Sequence, residues 1–173
     1  MNMPNRMARV AAVLHAERSS SAVAARPMAW HYTAMHHFES IILSEFILPM
    51  SPGLSPEARP IVWFSLNSYW EKSVGRLVVD PATGQHMRLS MQQMRTEHGK
   101  LIRFGIEERK LLGADVLCRH ARVNDSDWRE HFAQGIRHGA DPLQWCGSVK
   151  PVPVNGLVVE SFDDAFRWRP FRW

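Results

Sequence analysis

The sequence predicts an α+β protein with a mixed, mostly antiparallel sheet and a few short helices. Strand and helix patterns follow one another irregularly, which disfavours a doubly wound parallel sheet. Eleven proline and ten glycine residues among 173 interrupt the chain often, so short elements are expected. We expect one domain over residues 27–173, preceded by a flexible extension over residues 1–26.

The first elements expected are a short strand at Ala29–Thr33 and a helix directly after it. The helix carries apolar residues at helical spacing on one face, and the Thr33 hydroxyl can cap its N-terminus. It should end before Pro49. The segment Ser51–Pro60 holds three prolines and a glycine and predicts a loop.

The best strand pattern is Ile61–Ser65, whose continuous apolar run is typical of a strand covered on both faces. Ser68 to Glu71 matches the S-x-x-E capping box and predicts a helix start, and Ser90 to Gln93 repeats the pattern with glutamine. Between them, strands at Leu77–Asp80 and His86–Leu89 predict a hairpin.

The second half of the chain predicts strands at Leu101–Ile106 and Val116–Val123 and then a helix capped by Asp125 or Ser126. A strand at Gly156–Phe162 precedes a terminal segment that is rich in tryptophan and arginine. Packing of these aromatic rings on the domain is preferred over binding of nucleic acid, because a short cluster is not a broad basic face.

Composition narrows the class of protein. The formal net charge of +4 mildly favours anionic ligands. No run of 18 apolar residues occurs, so we expect no membrane span and no membrane partner. Cys118 and Cys146 lack metal spacing, and two buried thiols in a cytoplasmic protein are preferred over a disulfide.

Familiar catalytic motifs are missing from the sequence. It contains no phosphate-binding loop, no dinucleotide-binding glycine motif, no nucleophile elbow and no zinc-peptidase motif. His31, His36 and His37 form the densest histidine cluster, but neighbouring histidines on a helix point in different directions. We therefore interpret them as surface or cap residues and expect no metal.

One segment carries more information. Trp30-His31-Tyr32-Thr33 is followed by an apolar helix, a proline-rich loop and the strand ending Trp63-Phe64-Ser65. This arrangement resembles the start of the ADP-ribosyltransferase fold, a split-sheet core whose early strand carries histidine in an H-x-T setting. The resemblance covers about residues 29–75 and reaches Glu160 only by order along the chain. It implies NAD as the substrate and an unknown acceptor for ADP-ribose.

The resemblance implies roles for the residues that match its motifs. His31 would orient NAD through the adenosine ribose, and Tyr32 and Thr33 of the same motif would contact the dinucleotide. Ser65 would hold the nicotinamide ribose or the catalytic carboxylate, although a serine that simply closes a strand explains it equally well. Tyr69 or Trp70 would stack on nicotinamide, against the alternative of a core aromatic residue.

Glu160, in a strand of apolar residues, matches the late catalytic glutamate, which would stabilise positive charge as nicotinamide leaves. The alternative is an outward residue of an edge strand. Residue 158 is valine, so an E-x-E or Q-x-E pair is absent, which argues against transfer to arginine. Arg103 would bind the pyrophosphate or else lie on a polar strand face. Glu71 is explained by its capping box and is not assigned a catalytic role.

Three functions remain open from the sequence. The first is an ADP-ribosyltransferase-like enzyme that cleaves the nicotinamide glycosidic bond of NAD. The second is an RNA 2′-phosphotransferase-like enzyme, which would need clustered basic residues such as Arg103, Arg119 and Arg122. The third is a non-catalytic binding module that uses a tryptophan-rich surface, since seven tryptophans are many for this length.

Overall fold

The computed structural model describes residues 26–51, 55 and 57–173. The extension expected at residues 1–26 therefore lies outside the described residues except for Arg26, as does part of the loop at Ser51–Pro60. The described chain is an α+β protein built on an antiparallel sheet, which confirms the predicted fold class.

The elements follow the irregular order that the sequence predicts. The strands are β1 Met28–Ala34, β2 Phe46–Ile47, β3 Val62–Ser65, β4 Leu77–Val79, β5 His86–Arg88, β6 Leu101–Glu107, β7 Leu112–Gly113, β8 Trp145–Ser148, β9 Val152–Pro153, β10 Val158–Phe162 and β11 Trp168–Pro170. The α-helices are α1 Met35–Ser44, α2 Met91–His98, α3 Ala114–His120 and α4 Asp125–Arg137. Three short 3₁₀ turns lie at Lys72–Val74, Glu108–Lys110 and Pro142–Gln144.

Seven strands form the main sheet in the order β11-β10-β6-β1-β3-β8-β7. Strands β2 and β9 form a separate two-stranded ribbon, and β4 and β5 form the hairpin expected from the sequence. All six residues from Leu101 to Ile106 on β6 are buried, so this strand is covered on both faces instead of presenting one face to water.

The main sheet is weakly joined at one position. All seven residues of β1 have partners on β6, from Met28 opposite Glu107 to Ala34 opposite Leu101. Between β1 and β3 only one partner pair forms, Trp30 opposite Ser65. The sheet therefore opens beyond that pair, between the part β11-β10-β6-β1 and the part β3-β8-β7.

Helices cover the sheet on both sides. Helix α1 packs Phe38 on Phe104, with ring centroids 5.9 Å apart. On the opposite face α2 places Met91 and Met94 over the aromatic residues of β1 and β10. Helices α3 and α4 pack Leu117 and Trp128 against the β3-β8-β7 part.

Two predictions about helix starts are wrong. Thr33 does not cap α1, because it is still part of β1 opposite Ile102. The N-terminal cap is Ala34, whose methyl side chain has no atom that can accept a hydrogen bond. Ser68 does not begin a helix. The Asn67 side chain instead accepts hydrogen bonds from the backbone N–H groups of Tyr69 and Trp70, which holds this segment as a turn.

The segment Val116–Val123, predicted as a strand, is largely the helix α3. Its buried residues Leu117 and Ala121 lie four positions apart, which is a helical repeat. In so short a segment the apolar pattern does not distinguish a helix from a strand. Helix α4 is capped by Asn124 and not by Asp125 or Ser126; the Asn124 side chain accepts from the Asp127 N–H at 2.9 Å.

Other local predictions are confirmed. The capping box of α2 is complete, with bonds in both directions between Ser90 and Gln93. Cys118 and Cys146 are both buried free thiols. Among the described residues, no helix is long and apolar enough to cross a membrane.

Candidate functional site

A cavity of about 290 Å³ lies where the sheet opens between β1 and β3. Consecutive residues of both strands line it: Trp30, His31 and Tyr32 from β1, and Trp63, Phe64 and Ser65 from β3. Side chains of a continuous sheet alternate between its faces, so neighbouring residues seldom reach one cavity. The opening of the sheet brings them together here. We call this space the split cavity.

His31 occupies the gap between the two strands. Its Nδ1 atom donates to the carbonyl oxygen of Trp63 at 2.9 Å, because a carbonyl oxygen can only accept. Burial lowers the pKa of His31; the hydrogen bond to Trp63 partly opposes this effect, and the charge of His37 adds to it. The ring is therefore neutral near pH 7, and with the proton on Nδ1 its Nε2 atom carries a lone pair that can accept a hydrogen bond.

Ser65 and Glu71 form the polar side of the split cavity. The Ser65 hydroxyl donates to Glu71 Oε2 at 2.8 Å, and the Ser73 N–H and hydroxyl donate to Oε1 at 3.0 and 2.8 Å. Glu71 is 4% exposed, and its partners in the described structure are neutral donors. This carboxylate is thus held in place without a neutralising cation.

The other walls come from parts of the chain far apart in sequence. The hairpin contributes Arg88 from β5, and α4 contributes His131, Gln134 and Gly135. Trp145 from β8 lies beside His131, with ring centroids 5.0 Å apart. Burial lowers the pKa of His131, and the positive charge of Arg88 adds to this effect.

Gly135 allows α4 to approach Trp145. A Cβ atom at this position would lie 2.5 Å from the Trp145 ring, so a larger residue would push the helix away. The close approach of α4 brings His131 and Gln134 to the split cavity. Together with Trp30, Trp63 and Phe64, Trp145 gives the cavity aromatic walls that suit a flat ring.

Arg103 and Glu160 lie together outside the split cavity. They are cross-strand partners on β6 and β10, and Arg103 donates from Nε and a terminal nitrogen to Glu160 Oε2. The guanidinium lies between the rings of Trp30 and Trp168, 3.7 and 4.5 Å from their centroids, and also donates to the Ser68 carbonyl. This arrangement neutralises both charges and explains the burial of Arg103.

The remaining predicted site residues do not all lie at the split cavity. Tyr32 lines the split cavity and donates to the Asn67 carbonyl; burial raises its pKa to about 12, with Arg103 acting in the opposite direction. Thr33 does not line the cavity. Tyr69 is 57% exposed and lines a second cavity of about 390 Å³ with Phe162 and Phe166.

Sequence patterns do not identify Arg88, His131 or Trp145, and they assign Glu71 to a capping box. No helix follows that box, and Glu71 caps only the 3₁₀ turn Lys72–Val74. A carboxylate within an aromatic segment was the available signal. Arg88 and His131 carry no local signal, because only tertiary packing brings the hairpin and α4 to the same cavity.

Comparisons with known proteins add no evidence about the function of this site. No family model matches the chain, and neither the curated proteins nor the solved structures give a match. Within the described residues, no three histidine, cysteine, aspartate or glutamate side chains converge as metal ligands do.

Proposed function

We propose that this protein is an ADP-ribosyltransferase-like enzyme that binds NAD in the split cavity and cleaves its bond between nicotinamide and ribose. One observation carries the proposal. The opening between β1 and β3 brings His31, Ser65 and a buried carboxylate, Glu71, into one aromatic cavity. Cavities of roughly this size, largely apolar with a few convergent polar groups, are typical of ligand sites.

The carboxylate at this site is Glu71 in preference to Glu160. Glu160 is bound to Arg103, so its charge is already neutralised. Glu71 lines the cavity and accepts hydrogen bonds only from neutral groups, so no cation of the described structure neutralises its charge and a ligand can use it. A fixed carboxylate in a site shielded from water strongly stabilises positive charge that develops beside it.

The reaction needs few groups. The bond between ribose C1′ and the nicotinamide nitrogen breaks, and both electrons pass to that nitrogen, so nicotinamide leaves neutral. Positive charge then builds on the ribose, where Glu71 stabilises it. A nucleophile of the acceptor, or water, forms the new bond to C1′ and gives up its proton to solvent. His31 Nε2 accepts a hydrogen bond from a ribose hydroxyl, and an aromatic wall stacks on nicotinamide.

The two alternative functions have less support. Arg103, Arg119 and Arg122 do not cluster for RNA phosphate: Arg103 is paired with Glu160, and the other two are exposed near α3 and do not line the cavity. A tryptophan-rich surface is also disfavoured, because six of the seven tryptophans are buried or half-buried and Trp173 alone is exposed.

The test is nicotinamide release from NAD by the wild type and a Glu71→Gln variant. The amide keeps the size of the side chain and an accepting oxygen but removes the charge. We expect the release rate to fall by at least about 100-fold, while NAD binding measured by calorimetry changes by less than about threefold.

Two further variants make the test specific. Glu130→Gln removes an exposed glutamate of α4 and should leave release unchanged. Glu160→Gln compares the two candidate carboxylates: if it abolishes release while Glu71→Gln does not, the catalytic role belongs to Glu160. If the folded wild type neither binds nor cleaves NAD, the NAD-enzyme proposal fails. Binding without release would favour a binding module.

A further inference from the structure

Two buried hydrogen-bond donors in the split cavity lack partners. They are Arg88 Nε and Trp145 Nε1, and within the described part of the chain they are the buried side-chain N or O atoms without a hydrogen bond. A buried donor left without an acceptor has lost its hydrogen bond to water and gained none in return, so native proteins seldom keep one without a reason. Both residues line the same cavity.

His131 lies near both donor residues. Its ring centroid is 5.0 Å from that of Trp145, and the charge of Arg88 helps to lower its pKa. These residues lie on β5, α4 and β8, whereas Glu71 lies in the turn that follows β3. The cavity thus has an acidic group on one element and unpaired donors on others.

The charge of Arg88 is also unusual. Arg103, which packs against aromatic rings, is neutralised by Glu160. Arg88 forms no ion pair with a described residue; one terminal nitrogen donates to the Gly75 carbonyl at 2.8 Å. Burial lowers its pKa, as expected for a cation that has lost water. Arg88 is half-buried and its Nε atom is fully buried, so an anionic ligand that paired with this guanidinium would stabilise it.

We infer that Arg88 and Trp145, together with His131, form an oxyanion-binding subsite in the split cavity. The group that fits is a phosphate or carboxylate oxygen, since an arginine Nε–H and an indole N–H can only donate and the arginine carries a positive charge. The neutral His131 ring supplies a third polar group beside the anion. The subsite shares the cavity with the proposed NAD chemistry but does not depend on NAD as the ligand.

The test uses inorganic phosphate as the probe of the full-length protein, with two readouts. Calorimetry measures its affinity, and the indole N–H resonance of Trp145, assigned by its loss in Trp145→Phe, reports contact with the anion. We expect phosphate to shift this resonance in the wild type. Arg88→Met should weaken phosphate binding at least tenfold, Arg88→Lys less, and Trp145→Phe a few-fold.

Arg76→Met is the matched control, because Arg76 is exposed near the same hairpin and pairs with Glu97 outside the cavity. It should leave phosphate affinity unchanged. Thermal unfolding of each variant shows whether it is folded, and Trp145→Phe keeps the inference testable if Arg88→Met does not fold. The inference is overturned if phosphate leaves the Trp145 resonance unmoved, or if it binds Arg88→Met and wild type equally.

Parallel titrations identify the source of the oxyanion. If Arg88→Met weakens NAD but not nicotinamide riboside, which lacks phosphate, the subsite holds a phosphate of the dinucleotide. If Arg88→Met weakens inorganic phosphate but not NAD, the subsite holds an anionic group of a second substrate. If phosphate binds through Arg88 and NAD does not bind at all, the subsite stands and the proposed NAD function fails.

Discussion

Arg103 and Glu160 show how a residue that suggests catalysis can instead hold the sheet together. Both are charged residues in strands made mostly of apolar residues, and they pair with each other across β6 and β10. Their side chains are 8% and 17% exposed, which places the pair close to the interior. In that setting the loss of one partner leaves the other charge buried and unpaired.

We therefore predict that Arg103→Met lowers the free energy of unfolding by about 3–5 kcal/mol, because Glu160 loses its cation. The double variant Arg103→Met/Glu160→Met should recover most of this loss, since it removes both charges. Urea denaturation of the two single variants and the double variant measures the coupling. Additive effects would mean that the pair is not coupled and that Glu160 is free for another role.

At the scale of elements, contact between β1 and β6 depends on a small residue. Gly105 lies opposite Trp30, and a Cβ atom there would lie 2.6 Å from the Trp30 ring. The Trp30 ring also lines the split cavity and supports the Arg103 guanidinium. The glycine thus fixes where one aromatic wall of the cavity lies.

Gly105→Ala should lower the free energy of unfolding by about 1–3 kcal/mol, because the added methyl group displaces the Trp30 ring. Gly113→Ala on β7 is the control, since a Cβ atom there meets no atom within 4 Å; as the N-terminal cap of α3 it should cost at most about 1 kcal/mol. Chemical denaturation measures both. Equal stability of the two variants would show that Trp30 moves without cost.

The elements also show the limits of local patterns. The hairpin and the start of α2 are predicted correctly, because turn residues and the Ser90–Gln93 capping box act locally. The capping-box pattern at Ser68 does not produce a helix, because the Asn67 side chain accepts hydrogen bonds from the N–H groups of Tyr69 and Trp70 and so stabilises a turn. Two competing local signals of similar strength cannot be ranked without the surrounding structure.

At the scale of the whole molecule, buried histidines link stability to pH. Burial is the main cause of the lowered pKa of both His31 and His131. A lowered pKa means that the unfolded chain binds a proton more readily than the folded chain does. The stabilising contribution is therefore complete above the unfolded value of 6.5 and is lost as the pH falls below it.

We predict that the free energy of unfolding decreases between pH 7.5 and pH 5, since both buried rings resist protonation. The carboxylates with lowered pKa, such as Glu107 and Asp163, lose their contribution only at more acidic pH. Urea denaturation across this range should show a shallower decrease for His31→Asn and for His131→Asn. A wild-type stability that stays constant from pH 7.5 to 5 would contradict the prediction.

The sequence by itself determined the fold class, the two buried thiols, the strands β1, β3, β6 and β10 and the β4–β5 hairpin, but it did not predict β8 and it predicted a strand where α3 lies. The correct predictions follow from residue spacing and turn chemistry, which act over a few residues. It also indicated His31 and Ser65, since both belong to short motifs on strands. Only the tertiary structure decided that β1 and β3 separate after a single pair, that Glu71 and not Glu160 faces the cavity, and that Arg88, His131 and Trp145 form its other wall. The physical reason is that these residues meet through packing between segments that are far apart in the chain. A local sequence pattern does not encode which distant side chain will pair with a given residue, or which buried donor will lack an acceptor.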